Sequence, residues 1–182
     1  MTCPGCGAAM HVAAGKDYLI CDYCETTHFP DANPDGVRVL GEATALPCPR
    51  CSIVLVTGTL AGAQVICCTH CHGLLIAMDD FMAAVEELRS RHETAAYTGQ
   101  QPDWLDLDQR TMCPKCRAEM DTHPYCGPGN VIIDTCESCS VNWLDYGELQ
   151  KVVRAPDAHY AITLDEDDRD KMALNAMLDD HS

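Results

Sequence analysis

Twelve of the 14 cysteines in this 182-residue chain fall into six pairs in which two residues separate the two thiols. This Cys-x-x-Cys spacing lets one tight turn, a zinc knuckle, point both sulfurs at a single ion. Two knuckles together supply the four thiolates of a closed tetrahedral zinc site. The six pairs are Cys3/Cys6, Cys21/Cys24, Cys48/Cys51, Cys68/Cys71, Cys113/Cys116 and Cys136/Cys139.

Taken in order, the pairs form three sets, with 14, 16 and 19 residues between the two knuckles of each set. Each length accommodates two short strands and a turn, which predicts a zinc-ribbon hairpin used three times. In the second set, residues 52–57 favour a strand, the glycines at 58 and 62 interrupt it, and residues 64–66 return to the second knuckle. A cross-braced pairing of adjacent sets is the alternative, and it is disfavoured because it closes longer loops.

The composition also favours metal over a single large core. Aromatic residues make up 5% of the chain, with 2 Phe, 2 Trp and 6 Tyr. Units this small and poor in large side chains need a staple of metal or disulfide. The amino terminus reads MTCPGCG, without the apolar segment of a secretory signal, and no run of about 18 apolar residues predicts a membrane span. We therefore expect a cytoplasmic protein with reduced thiols that bind metal.

The predicted fold class is small, metal-stabilised and β-rich: three tandem zinc ribbons, the second and third followed by short α-helices. An apolar stripe of Phe81, Val85 and Leu88 predicts the first helix, and Leu149, Val152 and Val153 mark the second. The predicted organisation is ribbon one at 1–30, a linker at 31–45, ribbon two with its helix at 46–92, a linker at 93–110, ribbon three with its helix at 111–155, and an acidic C-terminal tail or helix at 156–182.

The last knuckle is followed by a longer motif, Trp143-Leu144-Asp145 and then Gly147-Glu148-Leu149. With the Cys-Pro that opens the set at Cys113, it resembles the bacterial zinc-finger family of the transcription-factor-IIB type, whose pattern is roughly CPxC…CxxCxGxWLDxGEL. Ser140 and Val141 stand where that pattern has its first glycine.

The segment from Cys68 to Phe81 aligns with the same pattern without a gap. It keeps Gly73 but has Leu75 in place of Trp and Ala77 in place of Asp, so it is similar to a degenerate copy. The resemblance covers about 46–92 and 111–155, while ribbon one matches in its knuckles alone. It implies a zinc-ribbon fold and says little about activity.

Several other polar residues invite a functional role. Asp145 and Glu148 are two carboxylates near a metal, but a capping box that opens the second helix is favoured over catalysis. Core packing is favoured over base stacking for Trp143. We expect the spare thiols at Cys67 and Cys126 to be free and His70 to be a knuckle residue, although Cys67 and His70 also have knuckle spacing.

The net charge of −16, from 12 basic and 28 acidic residues, disfavours a nucleic-acid partner. Four thiolates leave no open coordination position, so we expect no enzyme. The sequence therefore predicts an adaptor that holds three zinc ions and binds a protein partner, preferably one with a basic surface, through its ribbon hairpins and acidic tail. The family resemblance alone implies a partner linked to transcription. The alternatives are a nucleic-acid-binding protein, with ribbon three as its least acidic part, and a rubredoxin-like iron electron carrier.

Overall fold

The protein is described by a computed structural model that covers residues 1–13, 16–91, 107, 109–125 and 131–155. Cys126, predicted as a free thiol, and the predicted acidic tail or helix at 156–182 lie outside the described ranges. The secondary-structure elements in chain order are β1 (Met10–Val12), β2 (Leu19–Cys21), β3 (Thr27–His28), β4 (Arg38–Pro47), β5 (Val54–Leu60), β6 (Ala63–Cys67), β7 (Leu74–Ala77), α1 (Met78–Arg91), β8 (Asp121–Pro124), β9 (Ile132–Cys136), a 3₁₀ turn (Glu137–Cys139), β10 (Val141–Leu144) and α2 (Glu148–Arg154).

The strands form two antiparallel sheets. Ribbon one has a three-stranded sheet in the order β1-β2-β3. The other sheet has seven strands in the order β4-β5-β6-β7-β10-β9-β8. Its centre is the antiparallel pairing of β7 with β10, which we call the seam, and in the seam Leu75 lies opposite Trp143. Ribbons two and three are therefore joined edge to edge in one sheet, an arrangement that the sequence left open.

The range 31–45, predicted as a linker, is structured. Strand β4 occupies most of its second half and adds an edge strand to ribbon two. The first half is fastened to α2: the backbone N–H of Gly147 donates to Asp35 at 3.0 Å, and Gln150 donates to the carbonyl of Pro34 at 3.1 Å. Turn residues in this segment signal a loop, but they do not show that the loop packs against an element more than a hundred residues away.

Strand β5 continues through Gly58, where the sequence predicted a break. A Cβ on Gly58 would lie 2.9 Å from the carbonyl oxygen of Arg38 and 3.3 Å from the sulfur of Cys67. The glycine is thus required by the close approach of two neighbouring strands rather than by a turn. The chain reverses instead at Ala61 and Gly62, both of which have positive φ.

The central strands of the seven-stranded sheet, β7, β9 and β10, are buried on both faces. Helices α1 and α2 cover one face, where Phe81 and Val85 pack with Leu149 and Val152. On the other face, Leu55, Leu75 and Trp143 pack among the cysteines of the second and third sets. Because side chains alternate along each strand, neighbouring residues such as Leu74 and Leu75 serve different cores.

Candidate metal centres

The structure brings the twelve paired cysteines together in three groups of four, and within each group the sulfurs lie within 4.8 Å of one another. The grouping follows the order of the chain and is not cross-braced. We name the groups site one, two and three. Site one is Cys3, Cys6, Cys21 and Cys24, site two is Cys48, Cys51, Cys68 and Cys71, and site three is Cys113, Cys116, Cys136 and Cys139.

All six knuckles share one backbone conformation. The residue directly after the second cysteine of each pair has a positive φ, between 51° and 76°. In five knuckles this residue also donates its backbone N–H to the carbonyl of the first cysteine, as Ser52 does to Cys48 at 2.9 Å. The six residues are Gly7, Glu25, Ser52, His72, Arg117 and Ser140.

The left-handed residue turns the chain sharply enough for both sulfurs to point to the same side. Only one of these six positions holds glycine. The strain that the other five side chains bear is a small local cost that a bound ion offsets.

The separations of the sulfurs fit a tetrahedral ion. A zinc ion with Zn–S bonds of about 2.3 Å has sulfurs about 3.8 Å apart. The sulfur of Cys3 lies 3.5 Å from that of Cys24, Cys51 lies 3.4 Å from Cys68, and Cys116 lies 3.7 Å from Cys136. Backbone N–H groups also face the sulfurs, with His70 donating to Cys68 at 3.4 Å. Thiolate charge is thus partly met by backbone dipoles, as a metal thiolate site requires.

The thiols of site three shift the pKa values of one another in opposite directions. The backbone N–H of Ala118, followed by the neighbouring thiols, lowers the pKa of Cys116 to about 7. The Cys116 sulfur beside Cys139 raises the pKa of Cys139 to about 12. Four thiols held this close cannot all ionise at neutral pH without a cation, because each thiolate opposes the ionisation of the next. The donor set therefore fits a divalent, thiolate-preferring metal such as zinc.

The spare thiol at Cys67 does not join site two. Its side chain is buried in the core beneath the helices, while its neighbour Cys68 faces site two on the other side of the strand. Burial raises the pKa of Cys67 to about 11, so it stays protonated at neutral pH. His70 lies within the knuckle and contributes a backbone N–H. Cys126 lies outside the described residues.

A partly buried ion-pair network joins site two to ribbon three. Arg50, the residue between Cys48 and Cys51 that follows Pro49, donates from Nε to both carboxylate oxygens of Asp145, at 3.0 and 2.9 Å. Its Nη2 donates to Asp134 at 3.1 Å, and Asp134 also accepts from Thr111 at 2.7 Å. Burial alone would lower the pKa of Arg50, but the hydrogen bonds and charges of these aspartates raise it.

The capping box predicted for Asp145 and Glu148 forms only in part. Glu148 reaches back and accepts the backbone N–H of Asp145 at 2.7 Å, as expected. The Asp145 carboxylate makes no cap, and the helix begins after Gly147. The Asp145 carboxylate accepts instead from Arg50 and from the indole N–H of Trp143, the latter at 3.0 Å. Nothing in the local sequence marks Arg50 or Asp134 as part of a network, because their partners lie far along the chain.

Comparison with known protein families supports the assignment of ribbon three as a zinc ribbon. Residues 112–155 match the family described as a transcription factor zinc-finger, a zinc ribbon of the TFIIB type. The match does not extend over ribbon two or ribbon one. No curated protein and no solved structure matches the chain.

The fold, the third cysteine group and this match together define a zinc-binding ribbon domain over 112–155. Two further groups of four cysteines, built from the same kind of knuckle, precede it in the chain. Among the described residues, no helix is both long enough and apolar enough to span a bilayer.

Proposed function

We propose that the protein is a non-enzymatic adaptor of the cytoplasm that holds three zinc ions and binds a protein partner with a basic surface. The number and nature of the cysteine ligands support the binding of three zinc ions. All four donors at each site come from the chain, so a zinc ion would have no open position for water or substrate. Zinc bound here supplies structure, by cross-linking the two knuckles of each ribbon.

A groove beside the seven-stranded sheet is the main support for the proposal that the protein binds a protein partner. The groove has a volume of about 430 Å³, and its lining includes Ile66, Leu75 and Val141. Val12 of ribbon one and Lys115 of ribbon three border it, so all three ribbons contribute to its lining. An apolar floor with a polar rim is the usual composition of a recognition site.

The charges on the rim define the partner's chemistry. The groove is lined by the exposed side chains of Glu42, Asp80 and Lys115. Among the hydrogen bonds and ion pairs of the described residues, none uses these three side chains. The excess of acid over base on the rim, on a chain of net charge −16, favours an apolar segment flanked by lysine or arginine.

The metal part predicts three zinc ions per chain, and removal of zinc by a strong chelator should abolish the β-structure of all three ribbons. Each structural zinc contributes on the order of 10–16 kcal/mol, which is as large as the whole folding stability of a typical domain, so the cores alone are not expected to hold the strands together. Elemental analysis and circular dichroism before and after chelation measure both quantities. Fewer than two zinc ions, a coloured iron protein as purified, or β-structure that survives full chelation would contradict this account and favour an iron carrier or a core-stabilised fold.

The partner part predicts that Glu42→Lys weakens binding by roughly threefold to tenfold, because a rim charge steers association and is replaced by its opposite. The zinc-loaded full chain is used to capture its partner from nuclease-treated cell extract, and the affinity of the purified pair is then measured at two salt concentrations. Glu86→Lys is the matched control, since it reverses an exposed acidic charge on α1, away from the groove. Equal effects of the two variants would show that the partner does not use the groove.

Nucleic-acid binding is the second candidate, supported by the name of the matched family and by exposed Lys115 and Arg117 in ribbon three. Trp143 cannot stack on a base because it is fully buried. Arg110 is paired with Glu119 at 3.2 Å. Binding of labelled DNA or RNA that falls steeply with salt and is lost in Lys115→Glu, with no protein captured after nuclease treatment, would replace the adaptor proposal.

A further inference from the structure

The seam between β7 and β10 has approximate twofold symmetry. When ribbon two is aligned with ribbon three from Cys68 and Cys136 onward, Leu75 and Trp143 occupy equivalent positions. The same two residues lie directly opposite each other in the seam. The strand order is mirrored about this pair, with β6 and β5 on one side and β9 and β8 on the other. Each ribbon therefore presents the same edge to the other.

On one side of the axis, a glycine accommodates an indole. A Cβ built on Gly73 would lie 2.2 Å from Cζ2 of Trp143, 2.8 Å from Cη2 and 3.0 Å from Cε2. These separations leave no room for any side chain at residue 73 unless the indole moves. The indole is fixed, because it is fully buried and its N–H donates to Asp145.

On the other side of the axis, the equivalent positions hold a different pair. Val141 is the counterpart of Gly73, and Leu75 is the counterpart of Trp143. Both side chains are buried in the same core as Trp143. By the symmetry of the seam, Val141 approaches Leu75 as Gly73 approaches Trp143, and the valine fits because leucine is shorter than an indole. The two departures from the family pattern, valine for glycine and leucine for tryptophan, thus compensate one another across the seam.

We infer that the seam is an interaction surface with a built-in rule for its partner: the β10 edge of ribbon three fits a ribbon that carries glycine and leucine at the positions of Gly73 and Leu75. Ribbon two has that surface. A second ribbon three does not, because its Val141 would stand where Trp143 must lie. The segment that matches the family, 112–155, is therefore half of a two-ribbon unit, and its partner is ribbon two of this sequence.

Two double-mutant cycles in the zinc-loaded full chain test the rule. In the first, Gly73→Ala should lower the thermal midpoint by about 10 °C or more, because the methyl group overpacks a rigid site. The same substitution in a Trp143→Leu background should cost much less, because the indole is gone. The double variant is compared with Trp143→Leu alone. The cavity that Trp143→Leu creates is present in both proteins and therefore cancels in the comparison.

In the second cycle, Leu75→Trp should be strongly destabilising beside Val141 and much less so in a Val141→Gly background. Near-ultraviolet circular dichroism of the introduced indole reports whether it packs. Tolerance of Gly73→Ala or of Leu75→Trp alone would overturn the inference. So would equal losses with and without the second substitution, since the seam would then lack the steric complementarity proposed. A chain too unstable to purify as Leu75→Trp but recovered with Val141→Gly supports it.

Discussion

Replacing Cys136 with serine is expected to remove the metal from site three and to weaken site two as well, although site two keeps all its ligands. Cys136 ends β9 and precedes β10, so loss of its metal frees the strand that forms the seam. Leu75 and its neighbours then lose the packing of Trp143 and Val141. Losing packing of this size costs about 3–5 kcal/mol, which corresponds to roughly a hundredfold or more in zinc affinity.

The matched control is Cys21→Ser. Cys21 holds the equivalent position in site one, where it is buried in a core that contains Cys3, Met10 and Leu19 and no residue of the seven-stranded sheet. We expect this variant to lose one ion and to leave sites two and three unchanged. Competition with a graded series of chelators, followed by elemental analysis, measures each loss. If Cys136→Ser left the affinity of site two unchanged, ribbons two and three would be energetically independent.

Arg50→Ala is expected to destabilise the zinc-loaded protein by about 3–5 kcal/mol, because it leaves the carboxylates of Asp134 and Asp145 without their cation. The side chain of Asp134 is 5% exposed, that of Arg50 is 16% exposed and that of Asp145 is 32% exposed, so water replaces the lost interaction mainly at Asp145. The thermal midpoint, measured at a fixed concentration of free zinc, should fall by about 10 °C. Arg50→Lys should recover part of the loss, since it restores the charge without the two-pronged geometry.

Arg110→Ala provides the comparison for this substitution. Arg110 and Glu119 also form an ion pair, but the arginine side chain is 80% exposed. We expect a change of about 0–1 kcal/mol, because solvent screens such a pair and replaces it readily. Similar losses from Arg50→Ala and Arg110→Ala would show that the network between site two and ribbon three is not buried in solution.

The sequence was most informative where the signal is local. The Cys-x-x-Cys spacing requires no knowledge of distant contacts, and the three groups of four cysteines follow its order along the chain. The apolar stripe that begins at Phe81 and the burial of Trp143 also follow from local pattern and side-chain size.

The seam, by contrast, depends on contacts between residues far apart in the chain. Strand pairing leaves no local mark, because many strand edges could join by the same hydrogen bonds. The departures from the family pattern at Leu75 and Val141 were visible in the alignment of the two segments, but only the register shows that Leu75 faces Trp143 and that Val141 lies in the opposing strand. The Arg50 network was missed for the same reason, since an arginine within a knuckle has no local partner that marks it as buried.

The strand order of the larger sheet also has a consequence for how the chain folds. Every pair of neighbours in it is consecutive in sequence except β7 and β10. Hairpins between consecutive strands close short loops and form quickly, whereas a pairing of distant strands must wait for a slower search. Metal capture can therefore organise each ribbon while the chain is still open, and the distant pairing is completed last. Before that step, two half-sheets would expose the edges of β7 and β10, and during this interval the nascent protein is most susceptible to aggregation.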